Sequence, residues 1–261
     1  MDIAKIKRIG LRAAYRSGRI LNDHFGRALN ITKKGAIDLV TEADLASEKT
    51  IVDTIKEVFP DHAILAEESG AIQGNDEHTW IIDPLDGTTN FAHALPIFAV
   101  SIAYTHKDLV LMGIVFNPVN GELFSAVQGD GARLNDRPIR VSTTSKVNDS
   151  LLVTGFPYNM LSTTPAPMFS RFQRCLTAAQ GVRRLGSAAL DLCYVACGRF
   201  DGFWEENLKP WDTAAGMLIA AEAGAQVTDY AEHPYSYYDK QILATNALIH
   251  GEMVDLLNIE A

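Results

Sequence analysis

Two carboxylates, Asp83 and Asp86, close the apolar run in Trp80-Ile81-Ile82-Asp83-Pro84-Leu85-Asp86-Gly87-Thr88-Thr89-Asn90-Phe91. The apolar residues read as the end of a buried strand. The chain is expected to break at Asp83-Pro84, because proline fixes its φ and has no N–H to give to a ladder. Gly87-Thr88-Thr89 then reads as a turn into a helix, which stands acidic side chains beside backbone N–H groups. Carboxylates collect hard cations, and N–H groups at a helix start collect phosphate oxygens. Together they suggest metal-assisted chemistry on a phosphate ester. Taken alone, Asp-Pro and Asp-Gly are also ordinary turn dipeptides, and an isolated Asp-x-x-Asp is more often a solvated loop than a metal site.

Other acids fall at similar places. Ala63-Ile64-Leu65-Ala66 reads as a short strand that ends at Glu67-Glu68-Ser69-Gly70. Two successive strands ending in acids favour a shared carboxylate cluster. Thr41-Glu42-Ala43-Asp44 starts a helix through Phe59 with a capping box, Thr41 as N-cap and Asp44 at its third position. A capped carboxylate is also a positioned one, so capping and catalysis are compatible at Asp44. Pro210-Trp211-Asp212 opens an Ala-rich helix closed by Gly224, and an Asp there can serve simply as the N-cap.

The elements that must position these groups follow from periodicity. Residues 3–28 carry Ile6, Ile9, Ala13, Ile20 and Phe25 with basic residues between, an amphipathic helix. Residues 31–40 are β-like, with a loop tip at Lys33-Lys34-Gly35; residues 71–79 read as a mobile surface loop. From Ile97 the pattern becomes an antiparallel meander: Phe98 to Thr105, Leu109 to Phe116 and Glu122 to Val127, with a turn at Gly129-Asp130-Gly131. Asp136 to Asp149 is polar and looks like a seam. Beyond it come a strand at Leu151 to Gly155, a helix at Pro165 to Ala179 and a short strand from Val182. Gly186-Ser187-Ala188 opens a helix ending at Gly198, and Phe200 to Trp204 is a strand leading to Glu205 and Glu206.

The 261 residues, 47% hydrophobic and 21% charged, are ordinary for a globular protein with a large core. A net charge of −9 argues against nucleic acid as the main ligand. An acidic protein acting on phosphates needs local positive charge, which bound cations would supply. Lys5, Lys7, Arg8, Arg12, Arg16 and Arg19 interrupt any signal-peptide core, and the longest apolar run, Ala94 to Tyr104, contains Pro96 and is too short to span a bilayer. Cys175, Cys193 and Cys197 form no even framework and have no partner at zinc spacing. They read as core thiols in a reducing cytoplasm.

These segments resemble the inositol monophosphatase family, within the lithium-sensitive, magnesium-dependent sugar phosphatases. Trp80 to Phe91 with His93 matches its first signature, and Trp211-Asp212-Thr213-Ala214-Ala215-Gly216 through Gly224-Ala225 its second. Val40 to Asp44, Ala66 to Ser69, Gly186 to Ala188 and Gly202 to Glu205 match its other motifs in the family's order. The resemblance implies a layered αβαβα sandwich of two abutting halves, an α+β half over residues 1–145 and an α/β half over 146–261, with the site between them. Glu67, Asp83 and the carbonyl of Leu85 would hold one Mg²⁺, and Asp83, Asp86 and Asp212 a second, with a third, weaker ion near Glu67. Asp44 and Thr88 would orient and deprotonate the attacking water. Glu67 would take part through its ions, and the N–H groups of Gly87 and Thr88 would cradle the phosphate. Asp86, Gly186, Ser187, Ala188 and Glu205 would face the substrate, Glu205 accepting from a sugar hydroxyl. Lys33 stands where relatives keep a lysine, and a solvated loop lysine is as good a reading. The implied reaction is hydrolysis of a sugar or polyol monophosphate, myo-inositol phosphate first, by a cytoplasmic homodimer. The alternatives are fructose 1,6-bisphosphate, histidinol phosphate or a 3′-phosphonucleotide, with Arg183 and Arg184 meeting a second phosphate, and a non-catalytic scaffold that binds a partner.

Overall fold

A computed structural model describes residues 2–27, 31–33, 39–157 and 165–258. Helix α1 (Ile3–His24) buries Ile6, Ile9, Ala13, Ala14 and Leu21 along one stripe and stops earlier than the apolar pattern suggests, because Gly26 turns left-handed just beyond it. Strands β1 (Ile31–Lys33) and β2 (Leu39–Thr41) pair antiparallel; the expected loop tip at Lys34-Gly35 lies outside the described residues. Helix α2 (Glu42–Lys56) starts on the Thr41–Asp44 capping box.

An eight-stranded sheet follows: β3 (His62–Ala66), β4 (Gly70–Ile72), β5 (Asn75–Asp86), then helix α3 (Thr88–Ala92), β6 (Ala99–His106), β7 (Leu109–Asn117), β8 (Glu122–Val127), β9 (Ala132–Leu134) and β10 (Arg137–Pro138). Its spatial order is β10-β9-β8-β7-β6-β5-β3-β4. The meander holds, and Lys107 and Asp108, both at positive φ, make the two-residue turn between β6 and β7. Two expectations change. Residues 71–79 are mostly strand: β4 folds back on β3, and after a break at residues 73–74 β5 starts at Asn75, which pairs with His62 on β3, while His78 and Thr79 pair with His106 and Thr105 on β6. Local polarity gave no sign of that ladder; the length of the partner strand supplies it. Nor does the strand break at Pro84. The register with β6 shifts between Asp83 and Asp86, a bulge that takes Pro84 out of the ladder, so its missing donor costs nothing.

The second sheet comprises β11 (Leu151–Thr154), β12 (Gly181–Arg183), β13 (Gly202–Glu206), β14 (Gln226–Thr228) and β15 (Gln241–Thr245) in the order β12-β11-β13-β15-β14. Its helices are α4 (Pro165–Ala178), α5 (Ala188–Ala196), α6 (Pro210–Glu222) and α7 (His250–Leu257). β14, β15 and α7 carried no clear sequence signal.

Alternation along the strands sets the layers. Trp80 and Ile82 of β5 pack with Ile9, Ala13, Ile51 and Ile55 of α1 and α2, while Ile81 between them packs with Ala189, Ala215 and Ile219 of α5 and α6. On β13, Phe203 joins Leu192 and Val195 of α5, and Trp204 joins Cys175 of α4 and Met253 of α7. The result is α1/α2, sheet, α5/α6, sheet, α4/α7: a layered αβαβα sandwich. Each buried Ile or Phe contributes about 1.5–3 kcal/mol. Cys175 and Cys193 are buried and Cys197 half-buried, all as free thiols. No described helix is long and apolar enough to cross a membrane.

The closest approach in the middle layer is at Gly113 of β7, where a Cβ would stand 2.6 Å from the carbonyl oxygen of Ala215. Helix α6 can lie this low only because residue 113 has no side chain. Gly113→Ala is expected to destabilise the fold by about 1–3 kcal/mol, as overpacking does, read from the urea midpoint. An unchanged midpoint would mean that α6 is free to lift from the sheet.

Candidate active site

Strand ends of the first sheet meet helix starts of the middle layer, and the acids gather there. Asp44 is fully buried on α2. Its Oδ2 accepts from the Thr41 N–H (2.8 Å) and hydroxyl (2.6 Å), and its Oδ1 accepts from the Thr88 hydroxyl at 3.2 Å. The same Thr88 hydroxyl lies 3.0 Å from the Leu85 carbonyl, so its single proton is shared between two acceptors. Burial pushes Asp44 up, opposed by these bonds.

Three more carboxylates are each held by a turn. Oδ1 of Asp83 accepts from the Leu85 N–H released by the bulge (2.9 Å). Oδ2 of Asp86 accepts from the Ser187 hydroxyl (2.6 Å) and the Ala189 N–H (2.8 Å), so Asp86 caps α5 from across the layers. Asp212 is not the N-cap of α6. Pro210 takes the first helical position, Lys209 becomes the cap, and Asp212 at the third position accepts the Lys209 N–H at 2.7 Å. Glu67 follows β3, its N–H bonded to the Ile82 carbonyl, and Glu48 of α2 accepts the next two N–H groups, those of Glu68 and Ser69.

Burial raises Asp83 well above the usual carboxylate range, with further upward pushes from Glu67, Asp86 and Asp212. Burial also raises Asp212, then the charge of Asp86. Asp86 is pushed up by burial to about 6, its bonds to Ser187 and Ala189 opposing the rise. Among the described residues no three such side chains already form an ion cage. The donor set is nevertheless all hard oxygen, mutually repelling and at least half-buried, which is the chemistry a Mg²⁺-type cation relieves.

On the substrate side, Asp86, Gly186, Ser187, Ala188, Glu205 and Asp212 line one cavity of about 90 Å³. Asp44, Glu67, Asp83, Leu85, Gly87 and Thr88 are not on its wall. Glu205 is buried at the end of β13 and pushed up to about 8 by burial first, then by Asp212 and Asp86, with Arg184 opposing. Arg184 reaches the cavity wall, whereas Arg183 turns back to the Val182 carbonyl. Side-chain detail at Lys33 lies outside the described residues.

Several supporting residues escaped the sequence reading. The Ser17 hydroxyl donates to Ser47, which donates to the Pro84 carbonyl (2.8 Å) and so pins the bulge. Asn90 donates to the carbonyls of Ile97 (2.7 Å) and Leu185 (2.8 Å), tying α3 to the Gly186 turn. Gly155, Phe156 and Leu208 complete the cavity wall. Asp191 of α5 is fully buried with neither oxygen hydrogen-bonded, and burial followed by Glu205 and Asp86 raises it well above the usual range. A lone carboxylate inside Ala-Ala-Leu-Asp-Leu-Cys was the available signal.

A five-layer sandwich with carboxylates gathered between its sheets defines the sugar-phosphatase class of fold. The inositol monophosphatase family model matches residues 2–259, and the chain belongs to that family. An inositol-1-monophosphatase of Synechocystis sp. is 47% identical over 258 residues, covering 98% of this chain and 90% of that protein. The Nus factor SuhB of Haemophilus influenzae is 44% identical over 250 residues, 95% and 93% of the two chains. Among solved structures, the extragenic suppressor protein suhB of Bartonella henselae superposes with a TM-score of 0.93 at 39% identity, covering 98% of this chain and all 100% of that one. An inositol monophosphatase from Anabaena (Nostoc) sp. gives 0.89 at 42%, covering 98% and 96%.

The raised carboxyls set a pH dependence. Asp86 goes from an ordinary 3.8 to about 6 on folding, so the metal-free fold loses stability as pH climbs through that window. Cations that neutralise the cluster should stabilise the fold by about 2.7 kcal/mol at 100 times Kd, read as a higher Tm, with a larger rise at pH 8 than at pH 5.5. Asp83→Asn should remove most of that rise while leaving the metal-free protein as stable or more so. A cation response unchanged in Asp83→Asn would place the ions elsewhere.

Proposed function

We propose that this chain hydrolyses a sugar or polyol monophosphate, with myo-inositol 1-phosphate the leading candidate, using Mg²⁺. The observation that carries the reading is the carboxylate set of buried Asp83 with half-buried Asp86 and Asp212, the latter two lining a small cavity together with Glu205. Family membership and the Synechocystis relative support a phosphatase.

Glu67, Asp83, the Leu85 carbonyl, Asp86 and Asp212 would hold two or three cations. The Leu85 carbonyl accepts from Thr88 and keeps a second lone pair. Bound cations supply Lewis-acid polarisation of the phosphoryl group and acidify water. The chain's own residues do the rest. Thr88 donates to Asp44, which leaves the hydroxyl oxygen to accept from the attacking water and gives the proton a route to the buried carboxylate. The N–H groups of Gly87 and Thr88 meet the phosphate where Gly87, at φ +97°, turns the chain into α3. Glu205 faces the leaving alcohol. Its charge is coupled to the cluster, since neutralising Asp212 and Asp86 removes two of the influences that hold its proton.

The relatives named Nus factor favour a second, non-catalytic role for the same fold. Phosphate release from a panel of sugar, polyol, amino-alcohol and nucleotide phosphates, with Mg²⁺ and with a chelator, separates the two. Chelator-sensitive release is expected, greatest with the polyol phosphate; no release from any of them would leave only the binding role.

Thr88→Ala should lower turnover by about 100-fold or more, with Thr88→Ser recovering much of it. Equal behaviour of the two variants would remove the hydroxyl from the chemistry. Glu205→Gln should lower kcat/KM on myo-inositol 1-phosphate by roughly 10- to 100-fold and barely alter hydrolysis of p-nitrophenyl phosphate, which lacks ring hydroxyls. Equal losses on both substrates would assign Glu205 to the metal site or the fold.

A further inference from the structure

We propose that Gly155 is a positioning residue for substrate discrimination, because the space left by its missing side chain is the seat of the Glu205 carboxyl group. The inference rests on the reading that Glu205 accepts from the leaving alcohol. β11 and β13 run parallel with Thr154 beside Trp204, so the next residues, Gly155 and Glu205, are neighbours at the strand ends. The Thr154 hydroxyl donates to the Trp204 carbonyl at 2.6 Å and locks the two strands in that register. A methyl built on Gly155 would fall on the carboxyl carbon and both carboxyl oxygens of Glu205. Methyl and carboxyl therefore cannot occupy the place together.

Which of them yields is decided by stiffness. The strand backbone at Gly155 is pinned through Thr154, whereas the Glu205 carboxyl is the far end of a flexible side chain. An alanine at 155 would be accepted by the fold and would turn the carboxyl out of its seat. Gly155 and Glu205 both line the cavity of about 90 Å³, so a displaced carboxyl has little room there and its directed bond to a ring hydroxyl is lost. The glycine is not needed for a left-handed turn, since it is absent from the positive-φ glycines. Its smallness is what the site uses.

The test measures kcat/KM for Gly155→Ala, Glu205→Gln and the double variant with Mg²⁺, on myo-inositol 1-phosphate and on p-nitrophenyl phosphate. Gly155→Ala is expected to lose roughly tenfold or more on the inositol ester and to stay within about threefold of the parent on the aryl ester. In the Glu205→Gln background the same substitution should add almost nothing, because the group it displaces no longer carries the interaction. Equal losses on both esters would make Gly155 a structural residue and overturn the inference. So would a Gly155→Ala enzyme equal to the parent on both, or one whose loss multiplies with that of Glu205→Gln. In these cases a selective Glu205→Gln would still stand. If Glu205→Gln alone proves unselective, the reading of Glu205 falls, and the inference with it.

Discussion

Four carboxylates held close together, Asp44 and Asp83 buried and Asp86 and Asp212 half-buried, are the constraint on which the rest of this structure depends. Burying like charges is unfavourable unless each is hydrogen-bonded, paired or neutralised. Here every one of Asp44, Asp83, Asp86 and Asp212 is met by backbone N–H groups, at a capping box, a bulge, the start of α5 and the start of α6. These bonds hold the oxygens in place and only partly offset desolvation, so the carboxyls remain raised. A cluster left in that state is primed for cations. The fold supplies rigidity, and the remaining electrostatic cost is what an ion removes on binding.

The same bonds join layers that are distant in the chain. Asp86 belongs to the first sheet yet caps the helix that carries the substrate-side turn. Asn90 ties α3 to the Leu185 carbonyl, and the Ser101 hydroxyl of β6 donates to the Trp211 carbonyl at the start of α6 (3.2 Å). Gly113 lets α6, the helix that begins with Asp212 in its first turn, lie directly on the sheet. The residues proposed to hold metal and those proposed to face substrate therefore share one frame. Such preorganisation matters because charge stabilisation works best when the dipoles need not move during reaction.

Discrimination has a different physical origin. Under the proposed function, the phosphate end of any monoester would meet groups that cannot tell one alcohol from another. The cavity at the far end combines a carboxyl, an arginine and apolar surface from Phe156 and Leu208. Phe156 is itself packed edge-on to Phe172 at 5.5 Å, which fixes that wall. A cyclic polyol, with hydroxyls at its rim and an apolar ring face, suits such a mixed surface. Asp191, buried with neither oxygen hydrogen-bonded, is raised well above the usual carboxylate range by burial first and then by Glu205 and Asp86, which favours its neutral form.

Much of this was legible in the residues themselves. The capping box at Thr41 and Asp44, the acids at strand ends and the Gly87 turn follow from local rules, because each depends on neighbours within a few positions. The unbroken apolar run Trp80-Ile81-Ile82 announced a buried strand, and both its faces are packed. Local rules failed where a partner distant in sequence decided the outcome. Residues 71–79 became strand because β3 and β6 offered ladders, and Pro84 stayed within β5 because a bulge carried it past the ladder. Ser187 lines the cavity and also donates its hydroxyl to Asp86, a bond with a partner about a hundred residues away, and the surroundings of Gly155, Asn90 and Asp191 are likewise set by what packs against them. Periodicity and capping are encoded within a turn or two of chain, whereas the meeting of a carboxyl with a glycine fifty residues away in sequence exists only once two strands lie side by side.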